Sequence, residues 1–102
     1  MEKVVRYGNH EIRILYQDGE VFYVGKDICD VLGIKNARDS IKRIREDGRT
    51  KEWVNTIQGE RKMWVLNEIG LYDFMILTRK KHTKANSLCK WLLTKKDLYR
   101  AV

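Results

Sequence analysis

The chain has 102 residues, without proline or a low-complexity tract, which is the usual length of one domain. A hydrophobic content of 43%, with 10% aromatic residues, excludes a disordered composition and is enough for one core. The start of the chain lacks the apolar run of a signal peptide, and no stretch reaches the roughly 18 apolar residues of a membrane span. We therefore expect one intracellular domain over residues 1–102, without a membrane partner.

The net charge of +7 is unevenly distributed along the chain. Residues 1–30 sum to −2, residues 31–102 sum to +9, and the segment 77–96 has seven basic side chains and no acidic one. A basic domain favours a polyanionic partner, but it equally fits a protein that its charge keeps soluble. The position of the charges on the predicted elements therefore has to distinguish a polyanion-binding surface from a surface that is only solvated.

The first predicted elements form a β-hairpin. In the stretch EIRILY, Ile12, Ile14 and Tyr16 alternate with the remaining residues, which is the period of a strand. Asp18 and Gly19 follow, and then comes the β-rich stretch EVFYV. Two strands joined by Asp-Gly predict a tight turn, because that turn needs the positive φ that both residues tolerate.

Two helices are predicted next. The stretch KDICDVLG has apolar residues at helical spacing, and its Gly33 suits the position just after a helix. Asn36 then stands where an N-cap belongs, before a second helix ARDSIKRIRE over residues 37–46. A short helix, a glycine turn and a second helix predict a helix-turn-helix-like unit.

Three bases of the second predicted helix share a side without an acid. At 100° per residue, Arg38, Lys42 and Arg45 lie together, while Asp39 and Arg43 pair on another side. A helix that needed only solubility would gain from pairing all its charges, so the unpaired side favours a phosphate partner. In a helix-turn-helix, Arg38 would contact base edges, whereas Lys42 and Arg45 would contact phosphates.

A second hairpin and two further helices complete the predicted order. KEWVNTI and RKMWVL flank a turn that contains Gly59, and Asn67 caps a third helix EIGLYDFMILT. A fourth helix is predicted from about Thr83 to Asp97, where Trp91 fits a core side chain flanked by lysine stems better than a base-stacking platform. The resulting order ββααββαα predicts an α+β fold.

Basic residues of the second half are further candidates for contacts with nucleic acid, although a solvated turn also explains those of the hairpin tip. They are Arg49 and Lys51 at the base of the second hairpin, Arg61 and Lys62 at its tip, and Arg79, Lys80, Lys81 and Lys84 around the break between the third and fourth helices.

No pattern of catalytic chemistry is visible. Cys29 and Cys89 have no metal-ligand spacing and are expected to be buried, reduced and, for Cys29, chemically inert. The chain has neither G-x-S-x-G nor H-E-x-x-H, and no glycine-rich phosphate loop. We therefore expect a binding module rather than an enzyme, with no cofactor and no metal.

Three motifs resemble those of the Bro-N domain, the N-terminal domain of baculovirus Bro proteins and phage antirepressors. The matching positions are Val24, Lys26, Asp27, Cys29, Leu32, Gly33, Asn36, Arg38 and Ile41 in the first motif, Asn67, Glu68, Gly70, Leu71 and Tyr72 in the second, and Arg79, Lys81, Ala85 and Trp91 in the third. The departures are Ala37, Lys80 and Thr83, which replace a proline, a serine and a proline of the pattern.

The resemblance implies a DNA-binding domain of a phage- or prophage-type transcription regulator or antirepressor, in the cytoplasm of a bacterial host. The alternative is a module that binds a repressor protein directly. A nucleic-acid complex should weaken steeply with salt, whereas a protein complex should depend on exposed apolar anchors. The sequence leaves open whether the DNA is single- or double-stranded, and whether the chain forms a homo-oligomer.

Overall fold

Five strands and four α-helices make up residues 2–96, the part of the chain that the computed structural model describes. They are β1 (Glu2–Tyr7), β2 (His10–Gln17), β3 (Glu20–Val24), α1 (Gly25–Leu32), α2 (Ala37–Lys42), β4 (Arg49–Thr56), β5 (Gly59–Leu66), α3 (Glu68–Thr78) and α4 (Ala85–Thr94). The strands form one antiparallel sheet in the order β1-β2-β3-β5-β4. The fold is therefore α+β, as predicted.

The predicted order ββααββαα is wrong, because a strand that was not predicted, β1, precedes the first predicted hairpin. β1 pairs with β2 from Glu2↔Leu15 to Tyr7↔His10, and Gly8 in the turn has a φ of 63°. Charged residues interrupt the alternation of this edge strand, so its strand conformation depends on pairing with β2. The observed order within residues 2–96 is βββααββαα.

Both predicted hairpin turns are confirmed. Between β2 and β3, Asp18 and Gly19 have φ angles of 52° and 80°, which is the left-handed region that a tight hairpin turn requires. Between β4 and β5, Gly59 has a φ of 103° and pairs with Thr56. The turn residues therefore fix the register of both hairpins.

The predicted helix-turn-helix unit is wrong, because its second helix ends four residues early. The predicted caps are present: Gly33 closes α1 with a φ of 72°, and the side chain of Asn36 accepts the N–H of Asp39 at 3.3 Å. However, α2 has only six residues, which is about 9 Å and less than two turns. A helix this short cannot serve as the recognition helix that was expected.

Contacts outside α2 decide where it ends. The N–H of Ile44 bonds to the carbonyl of Ile41 at 3.0 Å, a tightened last turn, and both side chains are 2% exposed in the core. Arg45 then leaves the helical conformation, with φ −50° and ψ 142°, and its N–H donates to the Asp73 carboxylate of α3 at 2.9 Å. Burial of Ile44 and the bond to Asp73 replace the helical turn that local spacing predicts. A 3-10 turn at Glu46–Gly48 then leads into β4.

The third helix is confirmed at its predicted bounds. The side chain of Asn67 accepts the N–H of Gly70 at 2.9 Å and so caps α3. The fourth helix is also present, although α4 is shorter than the predicted span from Thr83 to Asp97, and Asp97 lies outside the described residues. Within residues 2–96, no helix is long and apolar enough to cross a membrane.

The main core lies between the helices and one face of the sheet. Its buried residues are Ile12, Ile14, Tyr23, Ile28, Cys29, Ile41, Ile44, Leu66, Leu71, Phe74, Leu88, Cys89 and Leu92. A smaller cluster on the other face joins the two hairpins and consists of Leu15, Phe22, Val24, Val54 and Val65. Since β3 and β5 share only two residue pairs, this second cluster contributes to holding the β4–β5 hairpin in place.

A buried ion pair connects α1, β2 and β4. Asp27 of α1 is 7% exposed and accepts three hydrogen bonds from Arg13 of β2, from its backbone N–H and Nε at 2.9 Å and from its Nη2 at 2.8 Å. The Nη1 of Arg13 also donates to the Asn55 carbonyl of β4 at 3.3 Å. The bond to Asp27 raises the pKa of Arg13, so the guanidinium stays charged although it is largely buried.

Both cysteines are buried, as predicted. Cys29 and Cys89 are 0% exposed, and burial raises the pKa of each thiol to about 12. Because the thiolate is the reactive species, we expect neither thiol to react with a disulfide reagent at about pH 8 in the folded protein, and both to react in denaturant. The absorbance of the chromophore that the disulfide reagent releases, measured in native and in denaturing buffer, gives the number of reactive thiols and checks this. Rapid release in native buffer would contradict it.

Candidate nucleic-acid interface

A basic cleft of about 240 Å³ lies between the two short helices and the β4–β5 hairpin. The register of the hairpin pairs Lys51 with Trp64 and Trp53 with Lys62, so these four side chains share one face of the sheet. The N-terminal part of α2 forms the opposite wall. The cleft is lined by Lys26, Ala37, Arg38, Ile41, Lys51, Lys62, Met63 and Trp64.

Aromatic rings alternate with cations along this face of the hairpin. The guanidinium carbon of Arg49 lies 5.0 Å from the ring centroid of Trp64, and the Nζ of Lys51 lies 5.1 Å from it. The Nζ of Lys62 lies 6.0 Å from the ring centroid of Trp53, which is 60% exposed. Cations held over rings keep their charge toward solvent while their stems cover the ring. The surface therefore offers both positive charge and an exposed aromatic platform.

Most cations of the cleft have no acidic partner in the part of the chain that the structure describes. Lys26 pairs with Asp30 at 3.1 Å, one turn along α1. Among residues 2–96, no ion pair involves Arg38, Lys51 or Lys62. The cleft is therefore a site of uncompensated positive charge, which attracts anions through a local field.

Two of the predicted contact residues have structural partners within the fold. The guanidinium of Arg45 bonds to both oxygens of Asp47, at 3.1 and 2.9 Å, so it does not belong to an unpaired face with Arg38 and Lys42. The Nε of Arg49 donates to the carbonyl of Ile44 at 3.0 Å and ties β4 to the chain after α2. The predicted three-base face is therefore reduced to the exposed Arg38 and Lys42.

Arg61 and Lys62 lie within β5 and not at the tip of the hairpin. Their side chains occupy opposite faces of the sheet. Lys62 pairs with Trp53 on the face of the cleft, whereas Arg61 pairs with Val54 on the opposite face. Both side chains are exposed. Because neighbouring residues of a strand point to opposite sides, only Lys62 belongs to the cleft.

The remaining predicted residues lie in the loop between α3 and α4. Arg79, Lys80, Lys81 and Lys84 are all exposed there. Lys81 and Lys84 line a second cleft of about 510 Å³ at the C-terminal end of α1, together with His10. The first cleft includes Lys26 near the start of the same helix, whose eight residues span about 12 Å. The predicted contact residues therefore divide between the two ends of α1.

Trp91 packs as the sequence predicts. It is half-buried, its ring centroid lies 5.1 Å from that of Tyr7, and the Nζ of Lys95 lies 4.4 Å from it. The ring thus covers the core beside β1 and is flanked by a lysine. The exposed aromatic side chain near the basic cleft is Trp53 instead.

Lys51 was predicted at the base of the basic hairpin, but Lys26, Trp53 and Trp64 were not predicted as members of a site. A signal for the two tryptophans is nevertheless present in the sequence. Lys51-Glu52-Trp53 and Lys62-Met63-Trp64 have the same Lys-x-Trp spacing on two strands joined by one turn. A period of two places all four side chains on one face of a hairpin. That α1 and α2 stand beside this face follows only from the tertiary structure.

Comparison with known proteins identifies the family of this chain. The family model for the BRO family N-terminal domain matches residues 11–99. This chain belongs to the BRO family. Over 68 residues the Bro-N domain is 34% identical to an uncharacterized protein of Haemophilus influenzae, in an alignment that covers 66% of this chain and 34% of that protein. The chain thus spans about a third of that relative's length. No solved structure matches.

The family is associated with phage antirepressors and DNA-binding regulators. In this Bro-N domain, several residues that match the family's motifs stabilise the fold. Asp27 accepts the bonds of Arg13, Cys29 is buried, and Asn67 caps α3. Arg38 is a motif residue that lines the basic cleft. The motif residues therefore mainly stabilise the fold. The function has to be inferred from the charge of the basic cleft.

Proposed function

We propose that this Bro-N domain binds DNA through the basic cleft between α2 and the β4–β5 hairpin, as the DNA-binding part of a phage-type transcription regulator or antirepressor. The observation that supports this best is the uncompensated charge of Arg38, Lys51 and Lys62 beside the exposed ring of Trp53. No catalytic role is proposed.

The first part of the proposal is that lysines of the cleft contact the phosphates of DNA. Side chains such as Lys51 and Lys62 neutralise phosphates and release counterions, which makes binding depend steeply on salt. They lie on the two paired strands of the β4–β5 hairpin, and Arg13, which is held by Asp27, bonds to the Asn55 carbonyl of β4. The basic loop residues Lys81 and Lys84 lie at the other end of α1 and would extend the contact along the DNA backbone.

The second part of the proposal is that the exposed ring of Trp53 stacks on a base of the DNA. Every base has a π-face, and an exposed ring beside cations stacks on bases without sequence preference. Trp53 has this arrangement, with Lys62 at 6.0 Å from its ring centroid. A duplex would use the cations only, whereas a single strand would use the ring as well. Comparing the two ligands therefore also decides which form of DNA the cleft prefers.

Removing two cleft lysines should weaken binding and flatten its salt dependence. For Lys51→Ala/Lys62→Ala, we expect the negative slope of the logarithm of the binding constant against the logarithm of the salt concentration to become less steep by about two units. About one unit corresponds to each lost phosphate contact. Binding to a random duplex and to a single strand of the same length, titrated from about 50 to 200 mM salt, measures this slope.

The matched control is Arg6→Ala/Lys90→Ala. It removes the same charge from two exposed residues that do not line the cleft. We expect the slope of this variant to stay near that of the original chain. Equal slopes for the two variants would mean that net charge, not the cleft, controls binding. Binding that is absent at about 50 mM salt would contradict the proposal and favour direct binding of a repressor protein.

A further inference from the structure

Helix α3 is apolar on its outer side as well as on its inner side. Leu71 and Phe74 face the core and are 0% and 1% exposed. On the other side, Ile69, Tyr72 and Ile76 are 48%, 47% and 54% exposed. A helix that is hydrophobic all round is normally buried all round, so the exposed side is a candidate contact surface. We call Ile69, Tyr72 and Ile76 the outer face of α3.

The outer face forms a continuous stripe. Positions 69, 72 and 76 are separated by three and four residues, so they lie within about 60° of one another around the helix axis. The eight residues from Ile69 to Ile76 extend over about 10 Å of the helix. Leu77, which is 48% exposed, borders the stripe near its C-terminal end. The stripe therefore has the spacing with which two helices pack against each other.

We propose that the outer face of α3 packs against the same face of a second copy of this chain, with the two helices antiparallel. A two-fold axis between positions 72 and 73 would place Ile69 of each copy opposite Ile76 of the other. The same axis would place Tyr72 beside Asp73 of the other copy. An interface of this kind uses one patch twice and closes on itself.

The charges at the two ends of α3 support a second copy as the partner. Glu68 begins the helix, and its side chain is 50% exposed, with one oxygen 3.4 Å from Lys96. Arg79 and Lys80 follow the other end of the helix and are exposed. In the antiparallel arrangement, Glu68 of each copy approaches Arg79 and Lys80 of the other. A parallel arrangement would bring like charges together at both ends, which opposes association. The two ends of α3 are therefore self-complementary in charge in the antiparallel arrangement.

The proposal is tested by the association state of the purified chain without nucleic acid, so its outcome is independent of the DNA-binding proposal. Sedimentation equilibrium over a concentration series should show a monomer–dimer equilibrium. Ile76→Glu places a charge within the stripe, and we expect the dimer dissociation constant to rise at least about tenfold. Ile57→Glu is the matched control, because Ile57 is a fully exposed isoleucine in the β4–β5 turn and should leave the constant unchanged.

A charge exchange separates the proposed geometry from damage to the fold. Glu68→Lys alone and Arg79→Glu/Lys80→Glu alone should each be monomeric, since each self-pair then brings like charges together. An equimolar mixture of the two variants should form a heterodimer, because both ends of the pair become complementary again. A monomer at every concentration of the original chain would overturn the proposal. So would a dimer that Ile76→Glu leaves unchanged, or a mixture of the charge variants that stays monomeric.

Discussion

Replacing Asp27 with alanine should lower the free energy of unfolding by about 3–5 kcal/mol. The carboxylate accepts three hydrogen bonds from Arg13, and its removal leaves a largely buried guanidinium without an opposite charge and with only the Asn55 carbonyl as an acceptor. The cost comes mainly from that uncompensated charge, not from the attraction that is lost. Urea denaturation followed by circular dichroism measures the difference between the variant and the original chain.

Asp30→Ala is the matched control for this experiment. Asp30 lies three residues further along α1 and also pairs with a base, Lys26, but both side chains are at least half exposed. Exposed ion pairs contribute at most about 1 kcal/mol, so we expect a small loss. If Asp27→Ala costs no more than Asp30→Ala, the buried pair does not stabilise the fold as described.

The same ion pair links stability to the proposed interface. Arg13 bonds both Asp27 and the Asn55 carbonyl of β4, and β4 bears Lys51 and Trp53 of the cleft face. β3 pairs with the β4–β5 hairpin at only two residue pairs, and the bond from Arg13 attaches the hairpin in addition to the second apolar cluster. The motif aspartate thus positions the basic cleft without taking part in it.

Gly70→Ala should also be strongly destabilising, although helix propensity predicts the opposite. Within a helix, alanine is favoured over glycine by about 0.8–1 kcal/mol. Here a Cβ at Gly70 would overlap the carbonyl oxygen of Gly48, and a Cβ at Gly48 would lie 2.6 Å from the Cα of Gly70. Because backbone meets backbone, neither side can rotate away. We expect a loss of about 3 kcal/mol, at the upper end of the cost of overpacking a core.

Thermal and urea denaturation of Gly70→Ala test this expectation against a control at Gly8. Gly8 lies in the β1–β2 turn with a φ of 63°, and a Cβ there would meet no atom within 4 Å. Gly8→Ala therefore carries only the strain of the left-handed backbone, about 1–2 kcal/mol. A Gly70→Ala variant as stable as the original chain, or more stable, would show that the contact between the 3-10 turn and α3 is looser than described.

The close approach of Gly48 and Gly70 explains the Asn-x-x-Gly pattern at the start of α3, Asn67 to Gly70. Asn67 accepts the N–H of Gly70, and its side-chain amide donates to the carbonyl of Asp47 at 2.7 Å. Its backbone N–H donates to the carbonyl of Gly48 at 3.2 Å. One asparagine therefore caps the helix and fastens the preceding turn to it. The glycine is required because the two backbones are in contact, not because of its own φ.

Local features of the sequence determined the elements whose ends depend on neighbours in the chain. The Asp18-Gly19 turn, the Gly33 C-cap and the start of α3 at Asn67 were predicted and are observed. A turn with positive φ or a side-chain cap is decided within four residues, so the sequence contains the necessary information. The apolar spacing of Ile41 and Ile44 likewise predicted their burial.

The tertiary structure alone decided the end of α2 and the composition of the basic cleft. Arg45 leaves the helix to bond Asp73, 28 positions away, and its guanidinium is then neutralised by Asp47. Helical geometry had placed Arg45 beside Arg38, but the strand pairing places Lys51 and Lys62 there instead. Such contacts join residues far apart in the chain, and their free energy exceeds the small local preference for continuing a helix. The sequence therefore determined that the domain is basic, and the packing of the hairpin against α2 determined which bases face one cleft.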